Sequence, residues 1–471
     1  MVAMEKNSYF IVGIKGVAMC HIAVILKKMG KSVRGADVAD EFITDEVLAE
    51  NGIACQIGFD AASLPADAEV VIYSAAHGGY DNPIVQEAQN RSITVLSQAD
   101  LLGDLIRQFK VSIAVCGTHG KTTTSSLLAY ALMKLGAEPS YMIGSSNFAG
   151  DGKTIAGGDY RGRNYFVIEA DEYGVNPPKD KTPKFHALQP THILCTNVDF
   201  DHPDMFDNLD QVKAAFCEFL SKPGVALTYC QDDPTLADLV SSLSVDSSLG
   251  YGLSPLSKYK IVRGSVINGK TRFSIETQNG MLEDIELSLY GEKNMLNAAG
   301  VITVLLNLGF TPDEVKNAVR GFTGPKRRLE QIYEKNGTYL FDDYAHHPVE
   351  IKASVSALKN RFTRDRLIIV FQPHTFSRTQ ALAADFTSAL SAADKTYLLP
   401  IFASARENNA SFTITSDDLT RGFNHLVAVN DALDLITRMK NELKRGDVVV
   451  TMGAGDVYKL RADIIEVINA L

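Results

Sequence analysis

A lysine and a threonine at the end of a glycine-bracketed turn mark where this 471-residue chain handles charge. The segment Gly117-Thr118-His119-Gly120-Lys121-Thr122-Thr123 follows an apolar, β-branched run over residues 111–115 and opens a helical pattern that stops at Gly136. In such a turn the backbone N–H groups of Gly117 and Gly120 converge on phosphate oxygens, aided by the positive end of the helix. Lys121 would reach the outer phosphates of a nucleotide, and the Thr122 hydroxyl would hold Mg²⁺. Position 115 is Val where the strict phosphate-loop pattern has Gly. The reading therefore rests on the strand–turn–helix setting, and its alternative is an ordinary helix N-terminus.

Carboxylates gather at two further strand ends. Residues 165–168 deliver Glu169-Ala170-Asp171-Glu172, and residues 192–196 deliver Asn197-Val198-Asp199-Phe200-Asp201-His202-Pro203-Asp204. Oxygen ligands beside a phosphate loop suit Mg²⁺, and His202 adds an imidazole. Two solvated loops are the plainer alternative. Asn294 and Asn297 share one face of a helix opening at Glu292, where their amides can meet an adenine edge, although Asn near a helix start is often only a cap. Farther on, Asp342-Asp343-Tyr344-Ala345-His346-His347-Pro348 and Gln372-Pro373-His374-Thr375-Phe376-Ser377-Arg378 follow strands expected at 338–341 and 367–371. For the His-His-Pro trio a simple turn is the other reading.

The elements that hold these groups read as alternating strands and helices. Residues 9–14, a turn from Gly13 to Gly16, a helix to Gly30 and a strand over 32–36 make a βαβ unit. Its acidic residue, Asp37, lies about twenty residues beyond the turn, and a third strand over 70–73 ends at Ser74. The turn is GxxG, not GxGxxG, so this unit suits the diphosphate or ribose of a nucleotide-linked ligand, or is a structural half of a dinucleotide fold. Residues 144–162 are Gly-rich and expected as loop, residues 321–329 as a hinge, and strands at 395–399 and 447–452 complete a last unit. At ~150 residues per domain the length suggests three. The expected class is α/β: a Rossmann-like domain over 1–109, a central P-loop domain with a parallel sheet over 110–324, and a Rossmann-like domain over 325–471.

A formal charge of −10 argues against nucleic acid or an anionic membrane as partner. No apolar run approaches the ~20 residues of a membrane span, and the first residues lack a basic-then-apolar leader. Six cysteines, Cys20, Cys55, Cys116, Cys195, Cys217 and Cys230, include no CxxC pair. They are expected as reduced thiols in a cytoplasmic protein.

The motifs CGTHGKTTT, EADE, TNVDFDHPD, KNMLNA, KRRLE, DDYAHHPVEI and FQPHTFSRTQ, in this order, resemble the Mur ligases of bacterial peptidoglycan synthesis. The likeness runs from about Tyr9 to Asp456. It implies a UDP-sugar domain, a central ATPase and a C-terminal domain that brings the amino acid. Within the family the motifs are most similar to the member that joins L-alanine to UDP-N-acetylmuramate, using ATP and Mg²⁺ through an acyl phosphate. By resemblance Gly117, Thr118, His119, Gly120, Lys121, Thr122 and Thr123 hold the ATP phosphates. Thr122 and Glu169 ligate one metal, and His202 a second beside the substrate carboxylate. Asn294 and Asn297 lie on the adenine side, and Arg328 and Asp343 reach the nucleotide when the C-terminal domain closes. Gly13, Gly16, Asp37 and Ser74 match the UDP-sugar side, and His346, His374 and Arg378 the amino-acid pocket. A monomer or weak homodimer is expected.

Three positions depart from the family pattern. Lys15 replaces a glycine and offers an extra phosphate contact, residues 173–189 form a longer segment expected as a surface insertion, and Thr375 stands where many relatives have Arg. Sister ligases that add acidic or diamino acids carry a carbamylated lysine after the DH motif. Phe216 takes that place here, and Lys213, one turn away, is expected in solvent. Two other functions remain open: a recycling ligase that attaches a preformed tripeptide to the same sugar nucleotide, and a nucleotide-binding regulator without turnover.

Overall fold

Buried β-branched and aromatic runs form the centre of each unit in the computed structural model, which describes residues 2–245, 247–267, 270–403 and 412–471. In the first unit Ser8–Val12, buried at every position, is the middle of five parallel strands. Ser32–Asp37 and Val70–Tyr73 flank it, with Ala54–Ile57 and Thr94–Ser97 at the edges. Parallel neighbours need crossover connections, which include the helices Val17–Lys28 and Pro83–Asn90. Gly13, Asp37 and Ser74 consequently lie along one edge of the sheet.

The central sheet is built around Val111–Cys116, which pairs in parallel with His192–Cys195 on one side and Tyr165–Glu169 on the other. The Gly117–Gly120 turn and both acidic segments thus leave three adjacent strands in one direction. The parallel run continues through Ala226–Cys230 and Ser247–Gly252 to Tyr259–Ile267, beyond which Lys270–Thr277 and Gly280–Leu287 pair antiparallel. On the opposite side Ser140–Gly150 pairs with Tyr165–Glu169 and then with Lys153–Asp159 as an antiparallel hairpin. That hairpin occupies most of the stretch expected as loop. Its glycines serve packing: a Cβ on Gly157 or Gly158 would come within 2.6 Å and 2.5 Å of His21. The expected hinge is also shorter, because Phe322–Pro325 pairs antiparallel with Ser140–Gly150.

The long segment after Glu172 is a small hairpin, Gly174–Asn176 with Asp180–Pro183, followed by the 3₁₀ turn Lys184–Ala187. It packs on the first unit: Asn176 lies against Gly79, and Lys179 pairs with Asp81. The last unit has the strand order Glu330–Lys335, Thr338–Asp343, Val448–Met452, Leu367–Phe371, Lys395–Leu398, Leu426–Ala428, parallel except for the first pair.

One continuous apolar cluster joins the Val17–Lys28 side of the first unit to the central sheet, and a separate cluster covers the first sheet's other face. Each face of the last sheet has its own cluster. Among the described residues no helix is long and apolar enough to cross a membrane, and all six cysteines are free thiols.

Candidate active site

Gly117 leaves its strand at φ 133°, and a Cβ there would lie 2.1 Å from Thr196 Oγ1. Only glycine permits that approach. The turn is stitched to the exit of the neighbouring strand. The Thr118 N–H donates to Asn197 O (3.2 Å), the His119 N–H to Asn197 Oδ1 (2.9 Å), and Thr196 Oγ1 donates to His119 O (2.6 Å). These bonds fix the backbone N–H groups at the start of helix Lys121–Lys134, the arrangement that cradles phosphate.

Lys121 Nζ donates to Gly117 O (2.6 Å) and Thr118 O (3.1 Å) and contacts Glu172 at 2.9 Å and 2.8 Å. Burial opposes its charge, but Glu172, Asp171 and Glu169 outweigh burial and hold the ammonium above the ordinary lysine value. The Thr122 hydroxyl donates to Glu169 Oε1 (3.0 Å), and the Gly144 N–H donates to Oε2 (2.8 Å). Burial lifts the Glu169 carboxyl, only partly offset by Lys121 and Gly144. A hydroxyl beside a half-buried, destabilised carboxylate fits a hard divalent cation. His202 Nε2 lies 3.7 Å from Glu172 Oε1 and 3.8 Å from Asp201 Oδ2, so the second predicted metal residue also faces carboxylates.

From the last unit, Arg328 Nη2 reaches Thr122 Oγ1 (3.5 Å), while its Nη1 reaches Glu350 Oε1 (3.5 Å). Glu350 also lies 3.5 Å from His119 Nδ1 and accepts the His346 N–H (3.1 Å), tying the phosphate turn to the C-terminal unit. Burial lowers the His119 pKa, but the carboxylates of Asp199 (3.7 Å) and Glu350 (3.5 Å) overcome it and push it up to about 9. Burial pushes Asp343 up to about 6, although Ser354 donates a hydrogen bond to it. His119, Gly120, Thr123, Asn294, Asn297, Arg328, Asp343 and Glu350 all border one cavity of about 510 Å³ between the two units. Asn297 Nδ2 approaches Asn294 Oδ1 at 3.5 Å, so the two predicted amides do share a face.

On the other flank His346 donates Nδ1–H to Tyr344 O (2.9 Å), and burial draws its pKa down to about 3. Its ring meets that of His374 edge-on, with centroids 6.2 Å apart. Arg378, 5 % exposed, binds Asp201 Oδ1 through Nε (3.0 Å) and Nη2 (2.9 Å). Burial would raise the Asp201 carboxyl, but His202, Arg378, His347 and His346 hold it well below the usual range. His347, 4 % exposed, caps helix Pro348–Arg361 by accepting the Val349 N–H at Nδ1 (3.4 Å). His119, Asp199 and His347 bring possible ligand atoms within 4.8 Å of one another. The cap leaves the His347 proton on Nε2, so that nitrogen is a donor and not a metal ligand.

The residues expected on the UDP-sugar side form a separate cluster in the first unit. Asp37, 1 % exposed, accepts the Lys15 N–H (2.7 Å) and the Val38 N–H (2.8 Å) and lies 3.3 Å from His77 Nε2. A Cβ on Gly13 would touch His77 and Ser74, and Gly16 caps helix Val17–Lys28. Lys15 is not spare for phosphate: its buried Nζ donates to Asp40 O (2.9 Å) and pairs with Asp45 (3.3 Å). Phe216 is fully buried against Phe185, and Lys213 is 41 % exposed, with Asp210 at 3.8 Å.

Sequence reasoning missed the parts played by Glu172, Asp201, Glu350, Asn197 and His77. Glu172 and Asp201 sat inside acidic segments with nothing to distinguish them from solvated neighbours. Glu350, four residues after His346 at a helix start, carried the spacing of a shared face. His77 carried no signal, and its φ of 55° becomes visible only in the fold.

Residues 8–110 match the family described as Mur ligase family, catalytic domain, residues 115–305 the Mur ligase middle domain, and residues 327–455 the Mur ligase, glutamate ligase domain. A UDP-N-acetylmuramate–L-alanine ligase of Caldicellulosiruptor bescii is 35% identical over 96% of this chain and 97% of its own. One of Aquifex aeolicus is 34% identical over 100% and 99%. In fold, the chain is similar to the UDP-N-acetylmuramate-alanine ligase of Thermotoga maritima (TM-score 0.80, 23% identity, 99% and 100% covered). It is also similar to a murein peptide ligase of Psychrobacter arcticus (TM-score 0.72, 21% identity, 99% of each chain).

Proposed function

Because the chain belongs to the Mur ligase family, we propose that it joins L-alanine to the lactyl carboxylate of UDP-N-acetylmuramate, converting ATP to ADP and phosphate. This is the first peptide-forming step of peptidoglycan precursor synthesis. One observation carries the reading: the phosphate turn, the Thr122–Glu169 pair, His202 and the His346–Arg378 flank converge on one cleft between two units. A cytoplasmic monomer or weak homodimer using soluble substrates fits it.

A carboxylate is a poor electrophile until phosphorylated, and its charge repels ATP. The chain's answer is positive charge and fixed donors around the transferring group. The Gly117–Gly120 turn with Thr123 cradles phosphate, Lys121 and Arg328 supply cations, and Asn294, Asn297 and Asp343 border the adenine and ribose space. Thr122 with Glu169 would hold one Mg²⁺ and His202 a second, and these ions neutralise phosphate and carboxylate charge when bound. The amine of alanine then attacks the acyl phosphate: the C–N bond forms, the bond from carbon to the phosphate oxygen breaks, and phosphate leaves. Arg378 suits the alanine carboxylate. His346, neutral and with Nδ1–H committed to Tyr344 O, offers Nε2 as an acceptor on the amine side. Gly13, Gly16, Asp37 and Ser74 serve the UDP-sugar.

Phosphate release with ATP, Mg²⁺ and UDP-N-acetylmuramate, measured against L-alanine, L-serine, glycine, D-glutamate and the alanyl-glutamyl-diaminopimelate tripeptide, tests the reading. L-alanine should be preferred, serine and glycine weaker by the ~10–200-fold that a small group decides, and the last two inert. Preference for the tripeptide would favour the recycling ligase, and silence with every acceptor would favour a regulator.

A further inference from the structure

We infer that Asp201 of the central unit is a positioning residue for amino-acid recognition, pinning the guanidinium of Arg378 from one side so that its remaining N–H groups receive the substrate carboxylate. The inference rests on the proposed role of Arg378 and extends it, because it assigns part of the amino-acid pocket to a different unit of the fold.

The contact has the marks of a device that orients. Nε and Nη2 of Arg378 both point at the same oxygen, Oδ1, at 3.0 Å and 2.9 Å. That arrangement uses two of the five guanidinium N–H groups and leaves three, both on Nη1 and one on Nη2, for a second carboxylate. Oδ1 is itself fixed by the His202 N–H at 2.6 Å, so the pin is anchored to the main chain of the predicted metal loop. Both side chains are about 6 % exposed, a setting in which an orphaned charge is costly. The C-terminal partner is aimed as firmly. Arg378 lies on the short helix Phe376–Ala381, which follows Thr375 at φ 70°, a left-handed conformation that β-branched residues avoid. The Thr375 N–H donates to Phe402 O (3.2 Å) and Thr379 Oγ1 donates to Thr375 O (2.6 Å), holding that backbone in place. Strained backbone of this kind persists only where its surroundings over-determine it, which fixes the start of the helix that bears Arg378.

Arg378 therefore has its binding geometry only when the C-terminal unit sits against the Asp199–Asp204 loop. Alanine offers little beyond its carboxylate and amine, so misalignment of this guanidinium should appear as lost alanine affinity. Loss of ATP or UDP-sugar affinity would signal a different role for Asp201.

Steady-state kinetics on the full chain test this with Asp201→Asn, Asp201→Glu, Arg378→Lys and the Asp201→Asn/Arg378→Lys double variant. Asp201→Asn keeps the shape and removes the charge. It should raise the KM for L-alanine roughly 10–100-fold, the usual effect of misplacing a binding group, with a smaller change in kcat. The KM values for ATP and UDP-N-acetylmuramate and the Mg²⁺ half-saturation should stay within about twofold. Asp201→Glu, which restores the charge one methylene farther out, should recover part of the loss. The double variant should be no worse than Arg378→Lys alone, since Asp201 acts through Arg378. Binding of a fluorescent ATP analogue and the thermal midpoint verify that each variant is folded. An unchanged KM for alanine in Asp201→Asn, or equal losses for all three substrates and Mg²⁺, would overturn the inference. Failure of the wild-type protein to release phosphate with alanine would overturn the functional reading itself.

Discussion

Lys121 is held by two carbonyls of its own turn and by Glu172, so in the proposed reaction a nucleotide draws it away from protein oxygens toward phosphate. That exchange of one set of oxygens for another explains how a nearly buried ammonium stays charged and available. Lys121→Ala should cut turnover at least ~10³-fold, comparable to removing other charge-stabilising donors, and should also lower the thermal midpoint, because it strips the buried Glu172 of its cation. Retention of more than a tenth of the normal rate would show that phosphate binds elsewhere. His119 gives a second residue-scale prediction. Its proton, held up to about pH 9 by Asp199 and Glu350 against the pull of burial, leaves the unfolded chain near 6.5. The stability it contributes is therefore complete below about pH 6.5 and disappears as pH rises through about 9. A thermal midpoint followed from pH 6 to 10 should fall more steeply in the wild type than in His119→Gln. Parallel curves would mean that the cross-unit ion pair contributes nothing to stability.

At the scale of elements, the strand–turn–helix of Val111–Cys116 and Lys121–Lys134 was legible because a buried β-branched run and a glycine turn leave little else for the chain to do. Gly117→Ala tests it: with φ 133° and a 2.1 Å collision against Thr196 Oγ1, the variant should lose about 1–3 kcal/mol and its nucleotide binding together. Unfolding titrations alongside nucleotide titrations measure both, and normal nucleotide affinity would contradict the cradle. The parallel strands that lead to Glu169, His202 and His346 were equally readable from their apolar runs. The hairpin Ser140–Gly150 with Lys153–Asp159 was not, because its glycines answer to His21 on another unit, not to local alternation. The site followed the same division. Lys121, Thr122 and the Glu169 segment stand out through local pattern and Asn294 only through the family resemblance, whereas Asp201 and Glu350 gain their meaning from partners 177 residues away, at Arg378, and across the unit boundary, at His119. Lys15 shows the converse, a promising cation that the fold commits to Asp40 and Asp45.

For the whole molecule, the apolar clusters divide the chain unevenly. The first and central units share one continuous core, while the C-terminal sheet has two of its own and meets the cleft through Arg328, Glu350 and Arg378. Polar contacts of this kind permit relative motion of a unit that has its own core. Calorimetry of the nucleotide-free protein should resolve two transitions, one for the first and central units together and one for the C-terminal unit. Nucleotide, bound between the units, should raise both and bring them together. A single transition with and without nucleotide would contradict the division. The reaction proposed for the cleft is tested most directly by the fate of an oxygen. UDP-N-acetylmuramate labelled with ¹⁸O at both lactyl carboxylate oxygens is incubated with ATP, Mg²⁺ and L-alanine, and the released phosphate is analysed by mass spectrometry. If the carboxylate is phosphorylated and alanine then displaces the phosphate, one ¹⁸O appears in each phosphate and one remains in the amide. Alanine-dependent phosphate that carries no label would contradict the account.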